Sequence, residues 1–123
     1  PLGSLAALGG LEIATLVGAV IQAASERRVI VVDGFIASSA ILVASKMRPS
    51  VLEYCIFSHR SDEKGHSLML YEMGAEPILD LKLRLGEGSG AALAWPLLMS
   101  ACAILREMAS FDTAGVSRDD DNQ

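Results

Sequence analysis

A chain of 123 residues, 51% hydrophobic and only 5% aromatic, has room for one compact domain and too much apolar content for a disordered segment. Ten Lys and Arg stand against fifteen Asp and Glu, a net charge of −5, and Asp119, Asp120 and Asp121 at the tail supply three of the negatives. With no basic stripe to meet a phosphodiester backbone or an anionic bilayer, nucleic acid and membrane are not expected partners.

Pro1-Leu2-Gly3-Ser4 has the look of a protease-cleaved tag scar and is set outside the fold, leaving 5–117 as the domain and 118–123 as an acidic, disordered tail. From Leu11 to Glu26 the chain is apolar almost all round, with polar or small residues only in a narrow stripe at Glu12, Thr15, Gly18, Gln22 and Ser25, which predicts a mostly buried helix. Val29-Ile30-Val31-Val32 is β-branched without alternation, as in a parallel strand covered on both faces, and Asp33-Gly34 ends it. Phe35 to Arg48 returns to helical spacing, with Ile36, Ala40, Val43 and Met47 on one side, until Pro49 breaks it and a helical turn through Val51-Leu52-Glu53 follows.

Cys55-Ile56-Phe57 reads as a second strand, and the polar run Ser58 to Gly65 as a loop. His66 to Met73 resumes helix, Gly74 stops it, and Pro77 introduces a third strand, Ile78 to Leu81. Ser89 or Gly90 opens a long apolar helix to about Met108, within which Pro96 makes either a kink or a late start. Its apolar stretch, Ala91 to Leu105, falls short of the roughly 20 residues that cross a bilayer and reads as a buried helix.

Strand centres near 31, 56 and 79 have the spacing of strand–helix–strand units, so the fold class is α/β, a parallel sheet of about three strands flanked by helices. Ligands of such sheets sit beyond the carboxyl ends of the strands, where Asp33-Gly34, Ser58 to Ser61 and Gly86 to Gly90 should gather on one edge. Helices this apolar leave more hydrophobic surface than one small layered domain buries, which calls for a homo-oligomer or a further part of the polypeptide. Met69, Met73, Met99 and Met108 read as core packing. Cys55 and Cys102 lie inside apolar runs, form no C-x-x-C pair, and suit a reducing, cytoplasmic compartment.

Three segments carry candidate chemistry, each with a structural alternative. Gly86-Glu87-Gly88-Ser89-Gly90 ahead of a helix is either an anion site or a flexible turn with Ser89 as N-cap, although a carboxylate held between glycines is poorly placed for packing and well placed to take a proton. Asp33-Gly34 either meets a ribose hydroxyl or caps the following helix. Ser61 with Arg60 either meets a phosphate or, with Asp62, caps the helix near His66. His59 and His66 lack a third ligand at metal spacing, so no metal and no cofactor is expected, and no nucleophile motif supports covalent catalysis.

Four blocks in order give these segments a common context: Leu8-Gly9-Gly10-Leu11-Glu12-Ile13-Ala14, Val32 to Ser38, His59-Arg60-Ser61 with Gly65-His66, and Leu83-Arg84-Leu85-Gly86-Glu87-Gly88-Ser89-Gly90-Ala91. From Leu8 to Ser117 the chain resembles the C-terminal part of the nicotinate-nucleotide:dimethylbenzimidazole phosphoribosyltransferase family, whose usual end Phe111 to Ser117 also resembles. The resemblance implies a glycosyltransferase of cobalamin lower-ligand synthesis that moves phosphoribose from nicotinate mononucleotide to dimethylbenzimidazole, on a Rossmann-like homodimer. It implies Glu87 as general base, Leu85 as an apolar wall beside the aromatic base, Asp33, Gly34 and Ser61 around ribose and phosphate, and Gly86 and Gly88 as backbone around the reacting centre.

Members of the family are much longer, and the part absent here carries most of the benzimidazole pocket, another nucleotide-binding segment and a second acidic residue. The chain by itself is therefore expected to be a fragment or truncated relative with little or no transferase activity. A non-catalytic module that keeps the fold, binds a nucleotide phosphate and serves assembly is the alternative. An unrelated ligand-binding domain sharing only the glycine-rich turn is a weaker one.

Overall fold

A computed structural model describes residues 1–109, so Phe111 to Ser117 and the acidic tail lie outside the described residues. In chain order it forms α1 (Leu2–Leu8), α2 (Leu11–Ser25), β1 (Ile30–Val32), α3 (Phe35–Met47), a 3-10 helix (Pro49–Tyr54), β2 (Cys55–Phe57), β3 (His59–Ser61), α4 (Lys64–Met73), β4 (Leu79–Leu83) and α5 (Ser89–Glu107). Leu2, Gly3 and Ser4, set outside the fold on composition, form the first turn of α1.

Two parallel ladders organise these elements, β1 with β2 and β3 with β4. They share one extended segment. Cys55 to Phe57 pairs with Ile30 to Val32, and beyond Ser58 the chain turns to its other neighbour. Ser58 N–H donates to the Val32 carbonyl, while the Ser58 carbonyl accepts from Leu79 N–H. The three expected strands are thus present, with one correction: the polar run after Phe57 continues as strand β3 and α4 begins at Lys64. His59-Arg60-Ser61 alternates buried, exposed, buried, so the polar composition belongs to a strand whose inward side chains are a histidine and a serine.

The core lies where α2 and α3 cover β1 and β2. Val17, Val20 and Ala24 of α2 meet Ala40, Ile41 and Ala44 of α3, with Val32, Val51, Phe57 and Leu70 beneath. Small residues at helical spacing on α3 let the two helices approach closely. α3 stops at Arg48, which takes an extended conformation (φ −143°, ψ 92°) as the residue before Pro49 must. α4 stops at Gly74 (φ 61°), with Ala75 N–H returning to the Leu70 carbonyl. The half-buried Cys55 thiol has its pKa pushed up to about 11 by burial, which keeps it protonated and unreactive.

Two buried helices of the sequence reading are in fact largely exposed. α2 buries only Val17, Val20 and Ala24, and α5 only Gly90 and Ala94. Leu93, Trp95, Leu97 and Met99 stand about half exposed along α5, and Met108, with Met99 expected in the core, is exposed as well. α5 is also longer than its apolar stretch: at 19 residues it is long and apolar enough to cross a membrane on length and composition. Its periodicity reports a helix without naming what covers it.

Candidate active site

The carboxyl ends of β1, β3 and β4 open onto one cavity of about 440 Å³, lined by Asp33, Gly34, Ser61, Gly86 and Glu87, with His59, Glu63, Arg84 and the first turn of α3 completing the wall. The three glycine-rich and polar segments therefore do gather on one edge, and the volume suits a small-molecule ligand. Leu85 and Gly88 belong to the same turn without lining the cavity; Leu85 is 76% exposed.

The turn after β4 is built from three consecutive left-handed residues, Gly86 (φ 77°), Glu87 (φ 56°) and Gly88 (φ 78°). Glycine takes this conformation freely, but an L-residue carries a steric cost of about 1–2 kcal/mol there. Glu87 is held in that conformation at the cavity edge, the kind of local strain that collects at functional sites.

Asp33 fixes the turn from across the sheet. Its Oδ1 accepts from Gly90 N–H (2.8 Å) and Ala91 N–H (3.1 Å), and its Oδ2 from Gly88 N–H (3.2 Å). This carboxylate caps α5, a helix that starts more than fifty residues downstream. Neither local cap offered by the sequence forms: Gly88 occupies the N-cap position of α5, and Ser89 Oγ is buried without a hydrogen-bond partner. Because Asp33 is turned away, α3 begins with no side-chain cap, and its first-turn residues Phe35, Ile36 and Ala37 line the cavity. An uncapped helix N-terminus beside Gly34 is suited to an anionic oxygen. Asp33→Ala should leave three N–H donors without an acceptor, destabilise the chain by about 2 kcal/mol and accelerate amide exchange at Gly88, Gly90 and Ala91, as urea titration and hydrogen exchange would record.

Two histidines lie under this edge, of which only His59 lines the cavity. His59 is 2% exposed and lies between Gly34 and Gly90, each of which offers only hydrogen where a Cβ would press the imidazole. His66 is fully buried: its Nδ1 accepts from Ser61 N–H (2.9 Å) and its Nε2 lies 2.9 Å from Ser38 Oγ. Burial, followed by the charges at His59 and Arg60, holds its pKa below the ordinary value, against a smaller opposite pull from Asp33. Ser61 Oγ accepts from Glu63 N–H (3.4 Å), leaving its hydroxyl proton for a ligand.

Arg60, paired with Ser61 in the sequence reading, is not brought to the cavity. Strand alternation sends it to the opposite face, where it lies 3.7 Å from Asp80. The cation at the cavity is Arg84, ion-paired to Glu63 at 3.2 Å. Arg84 and His59 were the residues missed as site residues; alternation along His59-Arg60-Ser61 was the signal that would have found His59. No three His, Cys, Asp or Glu side chains gather to hold a metal ion among the described residues.

Residues 1–116 match the family model described as phosphoribosyltransferase. The chain belongs to that family. The chain is 68% identical over 120 residues to the nicotinate-nucleotide–dimethylbenzimidazole phosphoribosyltransferase of Variovorax paradoxus, covering 98% of the chain and 34% of the relative. It is 60% identical over 113 residues to the enzyme of that name from Dechloromonas aromatica, covering 92% and 32%. The crystal structure of the nicotinate-nucleotide–dimethylbenzimidazole phosphoribosyltransferase of Thermus thermophilus superposes with a TM-score of 0.85 at 43% identity, over 93% of this chain and 34% of that one. The chain thus spans about a third of the length of its relatives. The superposition matches the small parallel ladders to part of a larger phosphoribosyltransferase structure.

Proposed function

We propose that the chain is the C-terminal part of a nicotinate-nucleotide:dimethylbenzimidazole phosphoribosyltransferase, forming the nucleotide half of its active site within a Rossmann-like sheet. The convergence of Glu87, Ser61, Gly34 and the uncapped start of α3 on one cavity carries this reading. The 5′-phosphate of nicotinate mononucleotide meets the Ser61 hydroxyl, Gly34 and the α3 N-terminus. Asp33 acts near the ribose chiefly by holding the 86–90 turn.

A benzimidazole nitrogen attacks C1′ of the ribose, the C1′–N bond to nicotinate breaks, and nicotinate leaves with the bonding pair. The partner nitrogen of the base then loses its proton to the Glu87 carboxylate, yielding α-ribazole phosphate. Gly86 and Gly88 allow the backbone to approach the reacting atoms, and the exposed Leu85 offers an apolar wall to the aromatic base once the remainder of the site is present. No cofactor enters this scheme.

The chain alone supplies a base and a phosphate cradle with no second wall, so the single chain is inactive and turnover needs the rest of the enzyme or its homodimer. Assayed with both substrates, the chain should give no α-ribazole phosphate. The same segment carried in a full-length enzyme should turn over, and should lose about 10²–10⁴-fold on Glu87→Gln. Turnover by the single chain near the full-length rate, or indifference to Glu87→Gln, would overturn the scheme. A non-catalytic assembly module is the second reading, favoured by the exposed apolar residues Leu93, Trp95, Leu97 and Met99 along α5.

A further inference from the structure

We propose that His66 is a positioning residue of the nucleotide site: through Nδ1 it accepts the Ser61 N–H, and through Nε2 it anchors to Ser38 on α3, so that the serine corner and the start of α3 face the phosphate as one unit. The inference rests on the reading of the cavity as a nucleotide site and adds a role for a side chain that lines no part of it.

The geometry is specific. His66 Nδ1 accepts from the Ser61 main chain at 2.9 Å, which in a neutral imidazole puts the ring proton on Nε2, 2.9 Å from Ser38 Oγ. Ser38 lies one turn beyond the first residues of α3, and both it and His66 are fully buried. One ring therefore bridges the two segments that supply the phosphate donors. With its N–H occupied by His66, Ser61 has only its hydroxyl left to offer the cavity.

A protonated His66 would present a second N–H to the Ser61 N–H, donor against donor, and the corner would open. Burial favours the neutral ring. The charged and titratable groups around it are His59 and Arg60 on β3, which disfavour protonation, and Asp33 after β1, which favours it; Glu63 and Lys64 begin its own helix. The folded state thus has the lower pKa. The corner is intact above the ordinary value of 6.5 and is lost as pH falls through the depressed one.

Asparagine and glutamine separate this role from simple packing, because Asn places an acceptor near Nδ1 whereas Gln places a donor near Nε2. In the chain without ligand, His66→Gln should accelerate amide exchange at Ser61 by about tenfold or more, and His66→Asn should leave it within about threefold, by heteronuclear NMR. In titrations with nicotinate mononucleotide, Gln should raise Kd about tenfold and Asn should not, and in the ligand-free wild type the Ser61 amide resonance should move as pH falls through the depressed His66 value. Equal effects of both variants on Ser61, or a ring proton found on Nδ1, would overturn the proposal. If Ser61 responds as stated but wild type binds no nucleotide, the corner-fixing role stands and the nucleotide reading of the cavity fails.

Discussion

Gly90→Ala should destabilise the chain by about 3 kcal/mol, although alanine is the better helix former by about 1 kcal/mol. Gly90 sits in the first turn of α5, and a Cβ there would collide with Nδ1 of the His59 ring, 2.5 Å from Cε1 and 2.7 Å from Cγ. The ring is buried, 2% exposed, so it cannot swing out into solvent to make room. The main-chain bond from Gly90 to Asp33 fixes the other party. Gly18→Ala in α2 is the matched control: no atom lies within 4 Å of its Cβ position, and the substitution should stabilise by about 0.5–1 kcal/mol. Urea denaturation of the two variants should therefore move the midpoint in opposite directions. A Gly90→Ala midpoint at or above that of wild type would show that His59 is not wedged under α5.

Glu87→Gly should do two things that normally oppose each other. At φ 56° the glutamate pays a steric cost that glycine does not, so the substitution should stabilise the chain by about 0.5–1 kcal/mol. It also removes the carboxylate, and in a full-length enzyme carrying this segment it should lower turnover by about 10²–10⁴-fold. Glu87→Gln keeps the strain and should lose turnover with no gain in stability. Thermal denaturation with a turnover assay on the same variants separates these outcomes. A Glu87→Gly chain less stable than wild type would mean that the side chain is held by contacts that outweigh its backbone conformation.

What was legible in the sequence was local. A strand ending at Val32, Pro49 and Gly74 as helix ends, and Ser89 as a helix start each follow from a few neighbouring residues, and each element is present near its expected place, although Val29, expected in a covered strand, is exposed. The gathering of Asp33-Gly34, Ser61 and Gly86-Glu87 also followed, because carboxyl ends of parallel strands share an edge.

Three features were not legible, for different reasons. The Asp33 cap on α5 joins positions more than fifty residues apart, so no capping pattern near Asp33 or Ser89 reveals it. Strand β3 hides in a polar run because its inward residues, His59 and Ser61, are polar and carry no hydrophobic alternation. α2 and α5 read as buried because their composition suits burial, but nothing among the described residues covers their exposed apolar positions.

Calorimetric titration of the chain with nicotinate mononucleotide, wild type beside Ser61→Ala at pH 7.5 or above, tests the central claim that the strand-edge cavity is a preformed nucleotide half-site. Saturable binding that Ser61→Ala weakens by about tenfold, the loss of one hydrogen bond to a charged group, is the result predicted. No heat of binding at millimolar nucleotide, or binding indifferent to Ser61→Ala, would contradict it and leave the assembly module as the better description of the chain.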